Sequence, residues 1–294
     1  MSLISKPFVS LAFLFLFLFS YRCIATELSD AGLYVLPYPQ QVTIGGDAFI
    51  VNNDLTIVLN KNHSAADAFA ANELVKDMKD QWNISAQISN HKGEFSIVLL
   101  RKKINAKHPK QSYQITVGKN EIIITGNDEE GLFYGTRTLL QLILKKGNVY
   151  QVPGMKITDW PAILQRAIHY DTKHHQDKMG YVKSFIKELA DYKVNMLVWE
   201  WEDKFAYPSH PEIGAPGAFT PAEIRDVTAY AKKYHIQIVP LVQGLGHVSF
   251  ILKWPQFAHL REIPASNFEF CPLKDGSYDL LFDLWKDAMD ATPG

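Results

Sequence analysis

Apolar and polar positions in the first part of the chain, from about residue 33 to residue 153, follow a mixed strand and helix pattern. Ser64 and Asp67 have the spacing of a capping box ahead of a helical apolar stripe, and residues 131–144 carry a second stripe. Short apolar runs bounded by turn residues predict strands over 48–51, 55–59, 95–100, 113–117 and 121–125, with the last two forming a hairpin. The pattern predicts a small α+β layer structure.

After a short connector predicted over residues 145–153, strand-like and helix-like segments alternate regularly. Thr220 supplies an N-cap, Pro221 stands at the first helical position and Glu223 has capping-box spacing, so three helix-start signals coincide. The remaining patterns predict strands over 167–170, 195–201 and 236–242, and helices around 182–190 and 278–289. Repeated β-α units imply a parallel sheet with helices on its faces, and the period alone fits both a doubly wound sheet and a closed barrel. A complete (β/α)₈ barrel takes about 250 residues, so only the first three units would fit.

The N-terminus has the pattern of an export signal. Lys6 precedes an apolar run over residues 8–19 that is interrupted at Ser10, and Cys23 and Ala25 form a small-x-small cleavage site. The run is shorter than the roughly 18 apolar residues of a membrane span. We therefore expect a signal peptide over residues 1–25, a secreted or periplasmic mature chain, and no stable membrane span after cleavage. An uncleaved anchor and a lipoprotein acylated at Cys23 are the alternatives.

Charge and cysteine content exclude several classes of partner. The chain has 30 basic and 31 acidic residues, a formal net charge of -1, and no basic stripe to follow a phosphate backbone, so we expect no nucleic-acid partner. Cys271 would be the single cysteine left after cleavage, and no Cys or His residues have metal-ligand spacing, so we expect no internal disulfide, metal or other cofactor. A neutral glycan is compatible with this charge balance.

Polar and aromatic side chains cluster where the three predicted parallel strands end. Active sites lie at this carboxyl end in both doubly wound sheets and barrels. Carboxylates beside aromatic rings are typical of a sugar subsite, in which the rings stack on the sugar and the carboxylates accept from its hydroxyls. The candidate sugar-contacting residues at the strand ends are Asp171, Trp201, Glu202 and Gln243, and His247 follows a Gly-x-Gly turn at the third strand end.

Structural interpretations compete with several of these assignments. Trp199 and Trp201 occupy alternate positions of one strand and could fill layers of a barrel interior. Glu200 points to the opposite side, where an ion pair toward the helices is as well supported as a role in the site. Arg166 and Asp171 could form a structural ion pair.

Several segments resemble family 20 glycoside hydrolases. Residues 113–142 are similar to the accessory domain that precedes the barrel in that family, and residues 157–161 with Arg166 look like the entry to its first barrel strand. Residues 199–207 and 239–262 resemble the hexosaminidase D group, above all in Ala258-His259-Leu260-Arg261-Glu262. The resemblance implies an α/β fold: a small α+β N-terminal domain over residues 26–155, then the first three β-α units of a (β/α)₈ TIM barrel over residues 156–294.

The resemblance also implies an activity and a site. It implies a β-N-acetylhexosaminidase that removes terminal β-linked N-acetylhexosamine from glycans by substrate-assisted retaining hydrolysis, without a cofactor. An arginine at the position of Arg166 binds the hydroxyls of the terminal sugar in the family, and Asp203 and His247 match positions that support the catalytic pair. The chain departs from the family at Gln243, where many members have an aspartate, and at Ala167, where a glycine is common. A non-catalytic carbohydrate-binding protein, or another barrel glycosidase sharing the accessory domain, is the alternative.

The chain has no Asp-Glu pair at the place where the family's chemistry needs one. In the family, an aspartate that orients the acetamido group and the adjacent glutamate acid lie at the end of the fourth barrel strand. The pairs Asp128-Glu129 and Glu202-Asp203 stand in other segments. We therefore expect the catalytic pair to lie beyond Gly294, and this polypeptide by itself to have no useful hydrolase activity.

A chromogenic β-N-acetylglucosaminide assay tests this expectation. The purified chain ending at Gly294 should release no chromophore above the buffer blank, while an active family 20 enzyme in the same assay releases it readily. Measurable turnover by the purified chain would contradict the expectation.

Overall fold

The computed structural model describes residues 27–294, and the predicted signal peptide, residues 1–25, lies outside this range. The described chain folds into two layers, each built on its own sheet. Within residues 27–294, no helix combines the length and the apolar character needed to cross a lipid bilayer.

A seven-stranded mixed sheet is the centre of the first layer. The elements are α1 Glu27–Asp30, β1 Gln41–Ile44, β2 Phe49–Val51, β3 Leu55–Leu59, α2 Ala65–Trp82, β4 Ala86–Ser89, β5 Phe95–Arg101, β6 Tyr113–Val117, β7 Glu121–Gly126, α3 Glu129–Gln141, β8 Leu144–Lys146, β9 Val149–Val152 and β10 Met155–Asp159. The main sheet has the order β1-β10-β6-β7-β5-β3-β4, and β2-β9-β8 form a small antiparallel sheet. The predicted hairpin of β6 and β7 is confirmed, and so is the α+β character of this layer.

Helices α2 and α3 complete the core of the first layer. Leu74 and Met78 of α2 and Leu132 and Leu139 of α3 are fully buried in one apolar cluster that includes Ile124 of β7. Full burial of such a side chain contributes about 1.5–3 kcal/mol relative to exposure. The apolar stripes that predicted the two helices are therefore the faces that hold the layer together.

Element boundaries in this layer differ from the sequence prediction at three places. The helix predicted over residues 131–144 ends at Gln141, because Leu142 is already the C-cap, although its buried side chain continues the apolar stripe. The connector predicted over residues 145–153 instead holds the paired strands β8 and β9. Strand β10 pairs with β1 and β6, so the first sheet extends past residue 155, where the accessory domain was expected to end. Pairing between distant segments leaves no local periodic signal.

A three-stranded parallel sheet, in the order β11-β12-β13, forms the second layer. Its elements are β11 Ala167–Asp171, α4 Met179–Asp191, β12 Met196–Glu200, α5 Pro221–Lys233, β13 Gln237–Leu241, α6 Ser249–Leu252 and α7 Ser277–Ala291, with short 3₁₀ segments over Glu202–Lys204 and Pro255–Leu260. The three predicted β-α units are present in the predicted order. Over residues 27–294 they form an open sheet, with no closed barrel.

A buried ion cluster joins the two layers. Arg137 of α3 is fully buried, and its guanidinium pairs with Asp77 of α2 and, at 3.3 Å, with Asp191 at the end of α4. Lys187 of α4 contacts Asp77 at 2.6 Å. Removing one partner of such a cluster leaves an uncompensated buried charge, which typically costs about 3–5 kcal/mol.

Both predicted capping boxes are present. Ser64 Oγ accepts from the Asp67 backbone N–H at 3.2 Å, and the Asp67 carboxylate accepts from the Ser64 N–H at 2.9 Å. Thr220 and Glu223 make the same reciprocal pair at the start of α5, with Pro221 at the first helical position. These local hydrogen bonds fix where the helices begin.

The α5 cap gives a stability prediction. Thr220→Ala should lower the free energy of unfolding by about 1 kcal/mol, because the Glu223 N–H loses its acceptor. Thr220→Ser keeps the hydroxyl and should lower it by much less. Denaturant unfolding followed by circular dichroism measures both variants, and equal losses would show that the hydroxyl is not the cause.

Candidate active site at the carboxyl edge

The parallel register brings the ends of β11, β12 and β13 to one edge of the second sheet. Asp171 lies opposite Glu200, and Glu200 lies opposite Leu241, so the chain segments that follow these residues leave the sheet side by side. The predicted meeting of polar strand ends is therefore confirmed for the segments after β11, β12 and β13.

The Glu200 carboxylate is the centre of this edge. Its side chain is 1% exposed, yet it accepts hydrogen bonds from each neighbouring segment. Gln243 Nε2 donates to Oε1 at 2.7 Å, His169 Nε2 lies 2.9 Å from Oε2, and Lys173 Nζ lies 3.4 Å from Oε1. The imidazole donates this hydrogen bond in the tautomer that carries the proton on Nε2. The Glu200 side chain therefore pairs with residues of the carboxyl edge and not toward the helices.

Lys173 links Glu200 to the predicted residue Asp171. Its Nζ lies 3.0 Å from Asp171 Oδ2, and its backbone N–H donates to Asp171 Oδ1 at 3.0 Å. Partial burial opposes ionisation of Asp171, but these hydrogen bonds outweigh it and lower the pKa of Asp171. The hydrogen bond to Asp171, reinforced by the charge of Glu200, raises the pKa of Lys173.

Sequence reasoning missed Lys173 and gave His169 no role. Both residues belong to the first strand or the loop after it, so their position at a strand end was the available signal. We call His169, Asp171, Lys173, Glu200 and Gln243 the carboxyl-edge cluster. It presents charged donors and acceptors side by side, as recognition of a polyhydroxylated ligand requires.

Two adjacent carboxylates beside this cluster have opposite environments. Burial, followed by repulsion from Glu200, raises the pKa of Glu202, whose backbone has a left-handed φ of 47°. Burial also acts on Asp203, but hydrogen bonds from Lys204 and from Lys253, the latter at 3.2 Å, outweigh it and lower the pKa of Asp203. Neighbouring acids with divergent pKa values are a common feature of acid-base sites.

Trp201, predicted to contact the sugar, lies in a buried aromatic cluster. Trp201 is fully buried, with ring centroids 5.0 Å from Phe205 and 5.6 Å from Trp199. Trp199 is fully buried as well and contacts Tyr170, which packs on Phe185 of α4. The two tryptophans therefore line the side of the sheet that faces the helices, and Trp201 offers no free ring face to a sugar.

Arg166, predicted to bind the sugar, lies at the opposite edge of the sheet. It precedes β11, and the residue before a parallel strand lies at the amino edge. Its Nε donates to the Lys193 carbonyl at 2.6 Å, and its Nη1 donates to Gln111 Oε1 at 2.9 Å and to two nearby carbonyls. Its alternative ion pair with Asp171 is absent from the described contacts.

His247 stands apart from the carboxyl-edge cluster. It is exposed on the loop after β13, with a left-handed φ of 56°, and its ring packs edge-on against Phe268 at 4.7 Å. Within the part of the chain that the structure describes, its ring nitrogens make no hydrogen bond.

A sizeable cavity lies away from the carboxyl-edge cluster. A cavity of about 1240 Å³ lies between the layers at the amino edge, where Asn195, Met196 and Gln237 contribute to its wall. Across residues 27–294, no group of three or more His, Cys, Asp or Glu side chains is placed to hold a metal ion.

Both layers match one protein family. Residues 32–160 match the domain described as glycosyl hydrolase family 20, domain 2, and residues 165–293 match the glycosyl hydrolase family 20, catalytic domain. The chain belongs to glycoside hydrolase family 20. This membership excludes a barrel glycosidase of another family.

Curated relatives of this family 20 chain carry hexosaminidase names. A β-hexosaminidase of Porphyromonas gingivalis is 25% identical over 302 residues, covering 90% of this chain and 38% of the relative. Hexosaminidase D of Bos taurus is 31% identical over 130 residues, covering 44% of this chain and 38% of the relative. The chain therefore spans well under half the length of these relatives.

Solved family 20 structures share the fold. A Streptomyces plicatus β-hexosaminidase in complex with product GlcNAc has a TM-score of 0.76 and 24% identity, covering 88% of this chain and 57% of that one. A Flavobacterium johnsoniae chitobiase has a TM-score of 0.76 and 23% identity, covering 90% of this chain and 44% of that one. Likenesses at this identity show the fold alone.

The contacts of Lys173 with Asp171 and of Lys253 with Asp203 predict which carboxyl pKa each lysine lowers. Lys173→Met should raise the pKa of Asp171 toward its ordinary value, because one hydrogen bond and a positive charge are lost while the backbone hydrogen bond remains. Lys253→Met should raise the pKa of Asp203 and leave Asp171 unchanged. The stability that the lowered Asp171 pKa provides is present above its unfolded value of about 3.9 and lost as pH falls through the folded value. The Lys173→Met variant should lose that pH-dependent part.

Carboxyl ¹³C NMR titration of the two lysine variants measures these shifts, and each variant is the control for the other. A rise in both pKa values in both variants would indicate a general loss of structure and contradict the pairwise contacts.

Proposed function

We propose that the protein is a glycoside hydrolase of β-N-acetylhexosaminidase type, which removes terminal β-linked N-acetylhexosamine from glycans. Family membership over both layers, together with the carboxyl-edge cluster, carries this proposal. The chain spans 38% of the length of each of the two curated relatives named above. The complete reaction is therefore proposed for the whole protein.

The cluster is suited to a neutral sugar. Each sugar hydroxyl both donates and accepts, and the cluster offers the acceptor Asp171 beside the donor Lys173. The buried Glu200 carboxylate accepts hydrogen bonds from Lys173 and from the Gln243 amide, and so fixes the positions of both side chains. Hydrogen bonds to charged groups contribute about 1.5–3 kcal/mol each, enough to select hydroxyl positions.

The arrangement of strands and helices in the second layer supports an active site at one end of a barrel. We propose that β11, β12 and β13 are the first three strands of a (β/α)₈ barrel, with the accessory domain ending near the close of β10. Their parallel order, the helices on one side and the polar residues at the carboxyl ends support this assignment. The open face of the sheet, with His169 and Glu200, would then face the barrel interior.

The proposed chemistry is substrate-assisted retaining hydrolysis. In that reaction the 2-acetamido oxygen attacks the anomeric carbon while a carboxylic acid protonates the leaving oxygen. Asp203, held ionised by Lys204 and Lys253, and His247 are proposed as supporting residues, and Asp171, Glu202 and Gln243 as sugar-side residues. Export is proposed too, supported by the apolar run over residues 8–19.

Ligand-observed NMR tests the sugar site without requiring turnover. N-acetylglucosamine should show saturation transfer from the purified chain, because its hydroxyls contact the carboxyl-edge cluster. Lys173→Met should weaken N-acetylglucosamine binding about tenfold or more, because a charge-assisted hydrogen bond is lost. Lys286→Met is the matched control, since Lys286 pairs with Asp290 on the exposed face of α7.

Absence of saturation transfer to N-acetylglucosamine would contradict a sugar site in this part of the protein. Equal effects of Lys173→Met and Lys286→Met would contradict the location of the sugar site at the carboxyl edge.

A further inference from the structure

Lys204 joins two of the chain segments that leave the carboxyl edge of the second sheet. It is the last residue of the 3₁₀ segment after β12, and its side chain is 16% exposed. Its Nζ donates to the backbone carbonyl of Lys173 at 3.1 Å, in the loop after β11, and it also pairs with the Asp203 carboxylate. One ammonium group therefore ties the loop after β11 to the segment after β12.

Asp203 extends this link to the segment after β13. Its Oδ1 accepts from Lys204, and its Oδ2 accepts at 3.2 Å from Lys253, the C-cap of α6. The backbone around Asp203 is fixed as well, because its carbonyl accepts the Ala215 N–H at 2.7 Å and the Lys204 carbonyl accepts the Phe219 N–H at 2.7 Å. Asp203 is therefore a firmly held acceptor for the Lys204 ammonium.

The carbonyl of Lys173 depends on Lys204. On the amino side, the Thr172 N–H and Oγ1 both donate to the Glu200 carbonyl, at 3.1 and 2.9 Å, and the Lys173 N–H donates to Asp171 Oδ1 at 3.0 Å. Within the described part of the chain, the Lys173 carbonyl accepts a hydrogen bond from Lys204 alone. Loss of that bond would let the Lys173 peptide rotate and would carry its Nζ away from Asp171 Oδ2, now 3.0 Å distant.

We propose that Lys204 is a positioning residue of the carboxyl-edge cluster, which holds the Lys173 side chain between Asp171 and Glu200 by fixing the Lys173 carbonyl. The role in ligand binding rests on the proposed sugar site, whereas the positioning itself does not. Lys204 makes no hydrogen bond or ion pair with Asp171 among the described residues, and the side chains that act on the Asp171 carboxyl are Lys173 and His169. An effect of Lys204 on Asp171 therefore passes through Lys173.

Carboxyl ¹³C NMR titration of Lys204→Met in the full chain tests this role, with Lys253→Met as the matched control. Both substitutions remove one ammonium partner of Asp203, so the pKa of Asp203 should rise in both variants. Lys204→Met alone removes the contact with the Lys173 carbonyl, so it alone should raise the pKa of Asp171 toward its ordinary value. An unchanged Asp171 pKa in Lys204→Met, or an equal rise in the two variants, would overturn the proposal.

A measurement on the unsubstituted chain covers the case in which Lys204→Met fails to fold. An NMR scalar coupling across the hydrogen bond, between the Lys204 ¹⁵Nζ and the Lys173 carbonyl ¹³C, is expected. Its absence, with rapid exchange of the Lys204 ammonium protons, overturns the proposal.

Sugar affinity separates this proposal from the proposed function. Lys204→Met should weaken N-acetylglucosamine binding about threefold, a smaller loss than for Lys173→Met, because the Lys173 side chain is displaced and not removed. Unchanged affinity would overturn the role of Lys204 in ligand binding. If the unsubstituted chain binds no sugar while the Asp171 pKa still rises in Lys204→Met, the sugar site fails and the positioning role stands.

Discussion

The buried carboxylate of Glu200 sets the strongest constraint on the second layer. A charged group that is 1% exposed is stable only when hydrogen bonds replace its lost water, and an unpaired one would cost several kcal/mol. Its donors come from β11, the loop after it and the segment after β13. The three strand ends must therefore stay in register, and the carboxyl edge has one arrangement in which this charge is satisfied.

Alternation of side chains along β12 gives the two faces of this sheet different roles. Trp199 and Trp201 bury their rings on the face toward the helices, and the residue between them, Glu200, necessarily points to the open face. Burial of the aromatic rings on one face stabilises the sheet and offsets the free-energy cost of burying the Glu200 charge on the other face. The aromatic residues beside the acids therefore support the site from behind and are not available to contact a ligand.

The first layer is joined to the second by polar as well as apolar contacts. Arg137 and Asp77 form a buried ion pair, Tyr234 Oη donates to Glu73 at 2.8 Å, and Arg166 reaches back to Gln111. Such directional contacts hold the layers in one relative orientation, because sliding either layer would leave buried charges unpaired. Family 20 membership of both layers agrees with this joined architecture, since the two family domains occur here in sequence and in contact.

Sequence by itself determined the features that depend on neighbours within about one helical turn. The capping boxes at Ser64 and Thr220 and the order of the three β-α units follow from such short-range signals. Tertiary structure alone decided that Arg166 lies at the amino edge, that Trp201 is buried, and that Lys173 meets Glu200. The physical reason is that a helix cap is completed by hydrogen bonds over three residues. The surroundings of a strand-end side chain are instead set by segments tens of residues away, whose pairing register has no local trace in the sequence.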